Sequence, residues 1–493
     1  MNKQYKWLVL LTFTLATGLS MATCLNIEEY VDAIESNQLD FRISQVLEHP
    51  DIQGASIGIS VRDASDGKVI YMHNGDSRFR PASSMKLVTS AVALQLLGVN
   101  YRFSTEIYTD SLQIGSTLKG NVYVRGKGDP TLREEDIREL VHVLKKKGIK
   151  KVKGDLIADD TWYDDNRLSV DMPWSDEQEY YGAQISGLTV SPNTDYDAGS
   201  LLLQIKPGES IGESASITLI PQTDYVSIKN KTTVGKVDSK NTIKVTRKHG
   251  SNRITITGNI PTNSKTTSEC ISVWNPTHYT LHLFKKSFEE QGIEITGKYK
   301  TGTVPANSRK LATDYSPELG SILVPYMKLS NNTISEVLVK EIGRVKGKKG
   351  SWDQGISLIE EELAHLGIDQ DFILMRDGSG LSHVNMISAN TLTNLLYNVQ
   401  FKSWFDVYKK ALPVAGQTDK NVGGTLRNRL KGTPAQGKVI AKTGTLATVS
   451  SLTGYVQGKH GNIYIFSIII NNAKEELQLK NIEDQLAIIL ASN

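Results

Sequence analysis

Three short groups of residues in this chain could together carry out acyl transfer through a serine ester. In chain order they are Ser83-Ser84-Met85-Lys86, Ser330-Asn331-Asn332 and Lys442-Thr443-Gly444-Thr445. Ser83 and Lys86 are three residues apart, so on a helix they share one face, where the amine can take the proton of the nucleophilic hydroxyl. Short patterns of this kind recur by chance, and the interpretation therefore depends on their order and surroundings.

The residues around Ser83 predict a buried helix over 81–97. Pro81 suits its first turn, and Gly98 suits the position after its end. The stretch after Lys86 is apolar nearly all round, which is typical of a helix at the centre of a domain. Burial lowers the pKa of a lysine and makes it a base. The alternative is a capping serine beside a lysine whose amine reaches water.

The surroundings also distinguish two copies of the tetrapeptide Lys-Thr-Gly-Thr. Lys442 follows one apolar segment and precedes two more, at 450–456 and 463–470, which predicts a strand of a central antiparallel sheet. The copy at Lys300 lies in a short polar strand that ends in a loop. We therefore predict that Lys442 belongs to the site and that Lys300 does not.

The second group, Ser330 to Asn332, joins an apolar segment to a predicted helix. Polar side chains at such a junction suit the wall of a cleft. Ser and Asn are also good helix caps, and the segment taken by itself favours the cap. The cleft interpretation therefore depends on the other two groups.

Hydrophobic periodicity and turn residues indicate the remaining elements only coarsely. Alternating patterns are typical of strands, and longer amphipathic stretches are typical of helices. We predict strands within 101–123 and 215–260, a hairpin turn at 248–252, and helices at 135–146, 280–291 and 477–490.

Composition excludes several classes of protein. At 493 residues the chain is long enough for two or three domains, and its 39% hydrophobic content supports full cores. The net charge of +3 gives no argument for a nucleic-acid partner. Lysine clusters at 145–147 and 346–350 are most simply solvated, and weak contact with an anionic wall polymer or a membrane surface is the alternative. No histidine cluster with metal-ligand spacing and no glycine-rich phosphate loop is present, so we expect neither a metal nor a cofactor.

Residues 1–22 predict a signal peptide. A short basic region precedes an apolar stretch, and small residues permit cleavage after Ala22. Cys24 leaves lipidation open. With Cys270 as the only other cysteine, a disulfide framework is excluded. We expect a secreted, extracytoplasmic protein in the cell wall or at the outer face of the cytoplasmic membrane.

Several longer motifs, considered as a set, are specific to one family. They are Arg80-Pro81-Ala82-Ser83-Ser84-Met85-Lys86, Lys127-Gly128-Asp129-Pro130-Thr131-Leu132, Gly154-Asp155-Leu156-Ile157-Ala158-Asp159-Asp160, Asp377-Gly378-Ser379-Gly380-Leu381-Ser382 and Lys442-Thr443-Gly444-Thr445. From about residue 40 to its end, the chain resembles the class C, type-4 low-molecular-mass penicillin-binding proteins, in particular the exported members of the Bacillus type. Those proteins are the D-alanyl-D-alanine carboxypeptidases and endopeptidases of peptidase family S13.

The resemblance implies a multi-domain α/β fold. We expect a penicillin-binding, serine β-lactamase-like transpeptidase domain, in which helices flank an antiparallel sheet, interrupted by two β-rich inserted domains. The long stretch of chain between the first and second motifs agrees with such insertions. The expected bounds are 23–100 and 305–493 for the transpeptidase domain, 101–180 and 265–304 for the first inserted domain, and 181–264 for the second.

The resemblance also implies a mechanism. In similar enzymes the serine attacks the carbonyl of the penultimate D-Ala of a peptidoglycan stem peptide. Ser83 would be the nucleophile and Lys86 its base, and Ser330, Asn332 and Lys442 would complete a proton path to the leaving amine. A β-lactam mimics this substrate and leaves a slow ester on the serine.

Further residues are implied to hold the substrate. In similar enzymes the N–H groups corresponding to those of Ser83 and Thr445 form the oxyanion hole. An acidic residue of the segment 158–163 faces the ammonium of a diaminopimelate side chain in those enzymes. Asp159 is the best match by motif position, its neighbour Asp160 is the alternative residue, and a simple turn is the alternative interpretation. His383 stands where the family often has Arg, so a role there requires protonation or a neutral hydrogen bond. The expected substrate-binding residues are Thr443, Gly444, Thr445, Leu446, Asp159 and His383.

We therefore expect a serine-type D-Ala-D-Ala carboxypeptidase that also cleaves D-Ala–diaminopimelate cross-links. Its expected partners are peptidoglycan stem peptides and β-lactam antibiotics. A serine β-lactamase shares the motifs, but the large insertion argues against that alternative. A non-catalytic wall-binding or scaffold protein is the alternative from another class, and the three intact motifs argue against it.

Overall fold

The computed structural model describes residues 38–474 and 476–493. The predicted signal peptide at 1–22 and the cysteine at position 24 lie outside these residues. Among the helices of the described part, none is long and apolar enough to cross a membrane.

A five-stranded antiparallel sheet carries the third motif. Its strands are β1 (Ser56–Asp63), β2 (Val69–His73), β21 (Val439–Leu446), β22 (Val449–Gln457) and β23 (Ile463–Asn471). The strand order is β2-β1-β23-β22-β21, so strands from before and after the long insertion lie side by side. β1 pairs with β23 from Ser56 opposite Asn471 to Asp63 opposite Tyr464. The predicted strand around Lys442 is confirmed, and it lies at the edge of this sheet.

Helices cover both faces of the sheet. The described helices are α1 (38–47), α2 (Lys86–Leu97), α3 (Glu134–Lys146), α4 (Pro276–Glu290), α5 (Leu319–Leu329), α6 (Asn332–Lys346), α7 (Trp352–His365), α8 (Ala389–Val399), α9 (Phe405–Ala411) and α10 (Glu476–Ala491). On β23, Phe466 and Ile468 share an apolar cluster with α10, whereas Ile465 and Ile469 share one with α8. Successive residues of a strand point to opposite faces, so β23 is apolar at nearly every position.

The helix predicted at 81–97 begins later than expected. Residues Ala82–Met85 form a 3₁₀ turn, and regular α-helix starts at Lys86. Ser83 therefore lies in the tight turn that leads into α2. A glycine at 380 permits this arrangement, because a Cβ there would lie only 1.8 Å from the Ala82 carbonyl oxygen. Short 3₁₀ segments are common at helix N-termini.

The chain between the first two motifs forms four further sheets. A mixed sheet has the order β17-β9-β7-β4-β18 and a smaller one has the order β16-β8-β6-β5. The strand β18 pairs with β4 along its length, so this sheet includes residues beyond position 304. Their bounds are β4 (Ser104–Thr109), β5 (Gln113–Ile114), β6 (Thr117–Leu118), β7 (Val122–Lys127), β8 (Lys151–Val152), β9 (Leu156–Asp159), β16 (Glu294–Ile295), β17 (Tyr299–Thr301) and β18 (Arg309–Tyr315).

Two three-stranded sheets follow in the middle of the insertion, with the orders β11-β10-β15 and β12-β14-β13. The predicted hairpin around 248–252 is confirmed, since β13 and β14 pair antiparallel across it. A small sheet, β19-β20-β3, lies in the unit that carries the motifs. The bounds are β3 (Arg78–Phe79), β10 (Ser200–Lys206), β11 (Ser216–Ile220), β12 (Ser227–Gly235), β13 (Lys244–Arg247), β14 (Arg253–Pro261), β15 (Thr267–Ser272), β19 (Ile373–Leu374) and β20 (Met386–Ser388).

Candidate active site

The first motif places a serine hydroxyl against a buried amine. Lys86 Nζ lies 2.9 Å from Ser83 Oγ, and the Lys86 side chain is fully buried at the start of α2. Nζ also donates to Asn332 Oδ1 at 2.7 Å and to the Ser379 carbonyl at 2.9 Å. The amine is thus held by one residue of the second motif and by the loop 377–382.

The environment of Lys86 makes it a base near neutral pH. Burial removes water from the ammonium and lowers the pKa of Lys86 to about 7, while the negative charges of Glu336 and Asp377 oppose that shift. A neutral amine 2.9 Å from the Ser83 hydroxyl can accept its proton. The interpretation in which the lysine amine reaches water does not fit this geometry.

Two buried carboxylates fix the loop whose carbonyl faces Lys86. Glu336 accepts hydrogen bonds from the N–H groups of Gly378 and Ser379, at 3.0 and 2.8 Å, and from the indole of Trp352 at 2.7 Å. Asp377 accepts the N–H of Gly380 at 2.9 Å. Burial, and then the neighbouring Asp377 charge, raise the pKa of Glu336 to about 7. Glu336 lies one helical turn after Asn332 on α6, so one helix positions both residues.

The third motif meets the second across the cleft. Lys442 Nζ donates to Ser330 Oγ at 2.8 Å and to the Thr443 carbonyl at 2.7 Å. Ser330 ends α5 in the left-handed conformation, with φ of 62°, and this turns its hydroxyl toward β21. Burial, and then repulsion from Lys86, hold the pKa of Lys442 well below its usual range. A neutral Lys442 can therefore exchange protons with the Ser330 hydroxyl.

The glycine of the third motif lets β21 approach the nucleophile. A Cβ at Gly444 would lie 2.3 Å from Ser451 Oγ, 2.6 Å from the Pro81 carbonyl oxygen and 3.0 Å from Ser83 N. Any side chain at this position would push β21 away from the turn that carries Ser83. The glycine thus brings the backbone of the third motif beside the nucleophile.

These residues face one open cleft of about 570 Å³. Thr443, Thr445 and Leu446 from the end of β21 line it, as does His383. Ser83, Ser330 and Asn332 also line it. Gly444 does not line the cleft and lies against the turn that carries Ser83. The structure thus brings together all the residues of the three motifs that the sequence singles out.

Asp159 lies elsewhere. Its side chain is fully buried at the end of β9 and is not part of the cleft. Its carboxylate accepts the N–H and hydroxyl of Thr161, at 3.0 and 2.6 Å, and the N–H of Val304 at 2.8 Å. Arg125 lies 3.5 Å away as a partly exposed counter-charge. These bonds are those of a turn, which is the alternative that the sequence left open for this position, and they occupy the carboxylate completely.

The acidic group that does line the cleft is Asp176, in a 3₁₀ turn at Trp174–Gln178. Tyr180 and Tyr181 from the next turn lie on the same wall. The Asp176 carboxylate is partly exposed and accepts a hydrogen bond from the neighbouring Ser175 hydroxyl at 3.2 Å. The sequence analysis missed these residues, because irregular turns have no periodicity that would indicate which side chains face the site.

The inserted chain is also bonded directly to the second motif. Asn332 Nδ2 donates to the Tyr181 carbonyl at 3.1 Å. Asn331 caps α6 by accepting the Ile334 N–H, and its Nδ2 group donates to the Tyr196 carbonyl at 2.9 Å. The cap interpretation of this segment is thus correct for Asn331, while its two neighbours face the cleft.

The fold and the site together define the class of penicillin-binding serine acyltransferases. A serine in a turn before a buried helix has a lysine base three residues later, and a second Ser–Lys pair closes the cleft. Within the described residues, no group of His, Cys, Asp and Glu could hold a metal ion.

Comparison with known proteins identifies the family. The model of the D-Ala-D-Ala carboxypeptidase 3 (S13) family matches residues 39–493, and this chain belongs to that family. The family predicted from the motifs is thereby confirmed. A D-alanyl-D-alanine carboxypeptidase of Actinomadura sp. (strain R39) is 39% identical over 453 residues, which cover 91% of this chain and 84% of that protein.

A second relative connects the sequence with a solved fold. A D-alanyl-D-alanine carboxypeptidase of Haemophilus influenzae is 26% identical over 426 residues, covering 85% of this chain and 86% of that protein. The crystal structure of penicillin-binding protein 4 from the same organism superposes with a TM-score of 0.78 at 24% identity, covering 92% of this chain and 99% of that one. The fold class predicted from the sequence is confirmed.

Proposed function

We propose that this protein is a serine DD-peptidase that removes the terminal D-Ala from peptidoglycan stem peptides through an ester on Ser83. The observation that carries the proposal is the 2.9 Å contact between Ser83 Oγ and the amine of Lys86, whose pKa burial lowers to about 7. Membership of a family of D-Ala-D-Ala carboxypeptidases supports the choice of substrate.

The reaction proceeds in two halves. Ser83 Oγ attacks the carbonyl of the penultimate D-Ala while Lys86 takes the hydroxyl proton. The proton passes through Ser330, which is bonded to Lys442, to the departing amine of the terminal D-Ala. Water then attacks the ester, and the same groups return the proton to Ser83. The N–H groups of Ser83 and Thr445 stabilise the oxyanion in both halves.

The end of β21 holds the terminal carboxylate of the substrate. Thr443 and Thr445 line the cleft beside Lys442, and the Thr445 hydroxyl is suited to donate a hydrogen bond to this carboxylate. The Thr443 hydroxyl donates to Thr425 Oγ1 at 2.7 Å, which leaves the proton of the Thr425 hydroxyl, also in the cleft lining, for the carboxylate. β-Lactams present an equivalent carboxylate and acylate Ser83, which inhibits the enzyme.

The cleft also binds the side chain of the third residue of the stem peptide. Since that residue is the diaminopimelate of D-Ala–diaminopimelate cross-links, the enzyme also cleaves these cross-links. Asp176 is the cleft carboxylate suited to the ammonium of diaminopimelate. An ammonium–carboxylate pair in a partly desolvated cleft is worth a few kcal/mol when one partner is removed. Because the cross-linked wall lies outside the cytoplasm, we propose that the protein acts there, in the cell wall or at the outer face of the cytoplasmic membrane.

The test is incubation with muropeptides followed by mass analysis. The loss of one alanine from pentapeptides reports carboxypeptidase action, and the separation of dimers reports endopeptidase action. Asp176→Asn should lower turnover of diaminopimelate-containing peptides about tenfold to a hundredfold, on the scale of one charged contact. Asp165→Asn is the matched control, because Asp165 is an exposed acid of the same segment outside the cleft. The absence of any alanine loss by the unmodified enzyme would overturn the proposal.

A further inference from the structure

A second pocket, similar in size to the catalytic cleft, lies between the inserted chain and the end of α6. Its volume is about 650 Å³. Trp162 and Asp164 line it from the segment after β9, and Arg344, Lys348 and Lys349 line it from the α6–α7 connection. We refer to it as the α6–α7 pocket. It shares no lining residue with the catalytic cleft.

The two walls of this pocket are fixed to each other. Trp162 Nε1 donates to the buried carboxylate of Glu341 at 2.9 Å, and the Tyr163 hydroxyl does so at 2.6 Å. The Asp164 N–H donates to the Gly350 carbonyl at 3.0 Å. Gly350 is required for this contact, because a Cβ there would lie 2.6 Å from the Trp162 carbonyl oxygen. The pocket is therefore preformed, and binding would require little ordering of its walls.

The charge of the pocket is positive. The Arg344 guanidinium lies 4.6 Å from the centre of the Trp162 ring and donates to the Lys348 carbonyl at 3.3 Å. Lys348 and Lys349 are exposed. In residues 38–474 and 476–493, no carboxylate forms a salt bridge with any of these three cations. The buried Glu341 carboxylate interacts with the Arg344 charge at longer range, so the two lysine charges are the most available to a ligand.

Two carboxylates also line the pocket, and they do not cancel its charge. Asp164 is neutralised by the buried amine of Lys340, at 2.5 Å. Asp353 lies in the first turn of α7, so Asp353 and the buried Glu341 oppose three cations that form no salt bridge within the described residues. A guanidinium over an indole ring, next to two exposed ammonium groups, suits phosphate oxygens, since the guanidinium binds one phosphate and the lysines reach its neighbours.

We propose that the α6–α7 pocket binds an anionic polymer of the cell wall through its phosphodiester groups. A polymer fits better than a small anion, because three cations within six residues of chain match successive charges of a flexible strand. Arg344 follows Asn332 by twelve positions on α6, which places the pocket roughly 18 Å from the catalytic cleft along that helix. The α6–α7 pocket would thus hold the protein at the wall while the catalytic cleft binds stem peptides. The role as an anchor rests on the proposed function, whereas the binding itself does not.

The experiment measures binding of soluble poly(glycerol phosphate) by isothermal titration at two salt concentrations. Lys348→Glu/Lys349→Glu should weaken binding at least tenfold, since it replaces two attractive charges by repulsive ones. Arg344→Gln should weaken it to a similar degree. Binding of the unmodified protein should fall as salt rises. The matched control, Lys229→Glu/Lys231→Glu, makes the same change of net charge on exposed residues of β12 and should bind nearly as tightly as the unmodified protein.

Three results would overturn the proposal. Equal weakening in the two double variants would show that only net charge matters. Equally tight binding of poly-glutamate would indicate a carboxylate site, and undetectable binding of poly(glycerol phosphate) would exclude the ligand. Penicillin acylation of Ser83 should remain unchanged in every variant, so a failure of polymer binding is distinguishable from a failure of the proposed peptidase activity.

Discussion

The same four residues, Lys-Thr-Gly-Thr, occur in two environments in this protein. Lys442 on β21 is fully buried and its amine lies 2.8 Å from Ser330 Oγ. Lys300 on β17 is half exposed and its amine lies 2.6 Å from Asp155. The pKa of Lys442 is lowered by burial and by repulsion from Lys86, whereas that of Lys300 is raised by its carboxylate partner. An identical tetrapeptide thus provides a buried lysine bonded to Ser330 in one place and a surface ion pair in the other.

The backbone around the two copies differs as much as the charge does. Gly444 lies against the turn of Ser83, where a Cβ would overlap three neighbouring atoms. At Gly302 a Cβ would meet only the Ile157 side chain, at 3.0 Å. The comparison teaches that catalytic chemistry depends on what surrounds a motif, because the motif itself is the same in both places.

The comparison depends on Ser83 as the acylated residue. Ser83→Ala should eliminate the penicillin adduct, because no other nucleophile lies beside Lys86 in the cleft described here. Lys86→Ala should also abolish acylation, since the hydroxyl then lacks its base. Intact-mass analysis after penicillin treatment measures both results. An adduct that persists in Ser83→Ala would refute the assignment, and circular dichroism would check that both variants remain folded.

Replacing each of the two lysines by alanine in turn tests the comparison directly. Lys442→Ala should slow acylation by roughly 10²-fold or more, the usual scale for the loss of one proton-transfer or electrostatic group. Lys300→Ala should acylate at the rate of the unmodified enzyme, because its amine is paired with Asp155 outside the cleft. The second-order rate of penicillin acylation is the measurement. Similar losses in both variants would contradict the distinction between the two environments.

The two glycines offer a matched test of the backbone. Gly444→Ala should displace β21 from the Ser83 turn, slow acylation and destabilise the fold by about 1–3 kcal/mol, as overpacking usually does. Gly302→Ala should be tolerated, because the Ile157 side chain can move. The measurements are the thermal unfolding temperature and the rate of penicillin acylation of each of the two glycine variants. If Gly444→Ala behaves like Gly302→Ala, the close approach of β21 is not required.

The smallest expected effect is a shift in pH dependence. The acylation rate should rise with pH and level off above about 7, because the neutral form of Lys86 is the base and its pKa is lowered to about 7. The Glu336 charge opposes that lowering, so Glu336→Gln should move the rising limb to lower pH. Lys300→Ala should leave the limb in place. A limb that shifts upward in Glu336→Gln would show that the variant disturbs the 377–382 loop more than the charge balance.

Much of the fold was predictable because its signals are local. The predicted helix at 135–146 corresponds to α3, the predicted hairpin to β13 and β14, and the predicted C-terminal helix to α10. Each depends on apolar periodicity or turn residues within a few positions. The start of α2 was predicted too early, because the 3₁₀ turn at Ala82–Met85 is stabilised by contact with Gly380, almost 300 residues away.

The sequence by itself determined the order of the three motifs, the apolar surroundings of Ser83 and Lys442, and membership of the family. These depend on residue types and short spacings, which the chain carries in any conformation. Only the tertiary structure decided which acid lines the cleft and which one builds a turn, since Asp176 lines the cleft and Asp159 accepts hydrogen bonds from Thr161 and Val304. It also decided that Glu336 reaches the loop beside Lys86. Such roles arise from segments that are distant in the chain and meet only in the folded protein, where burial sets the charge of each group.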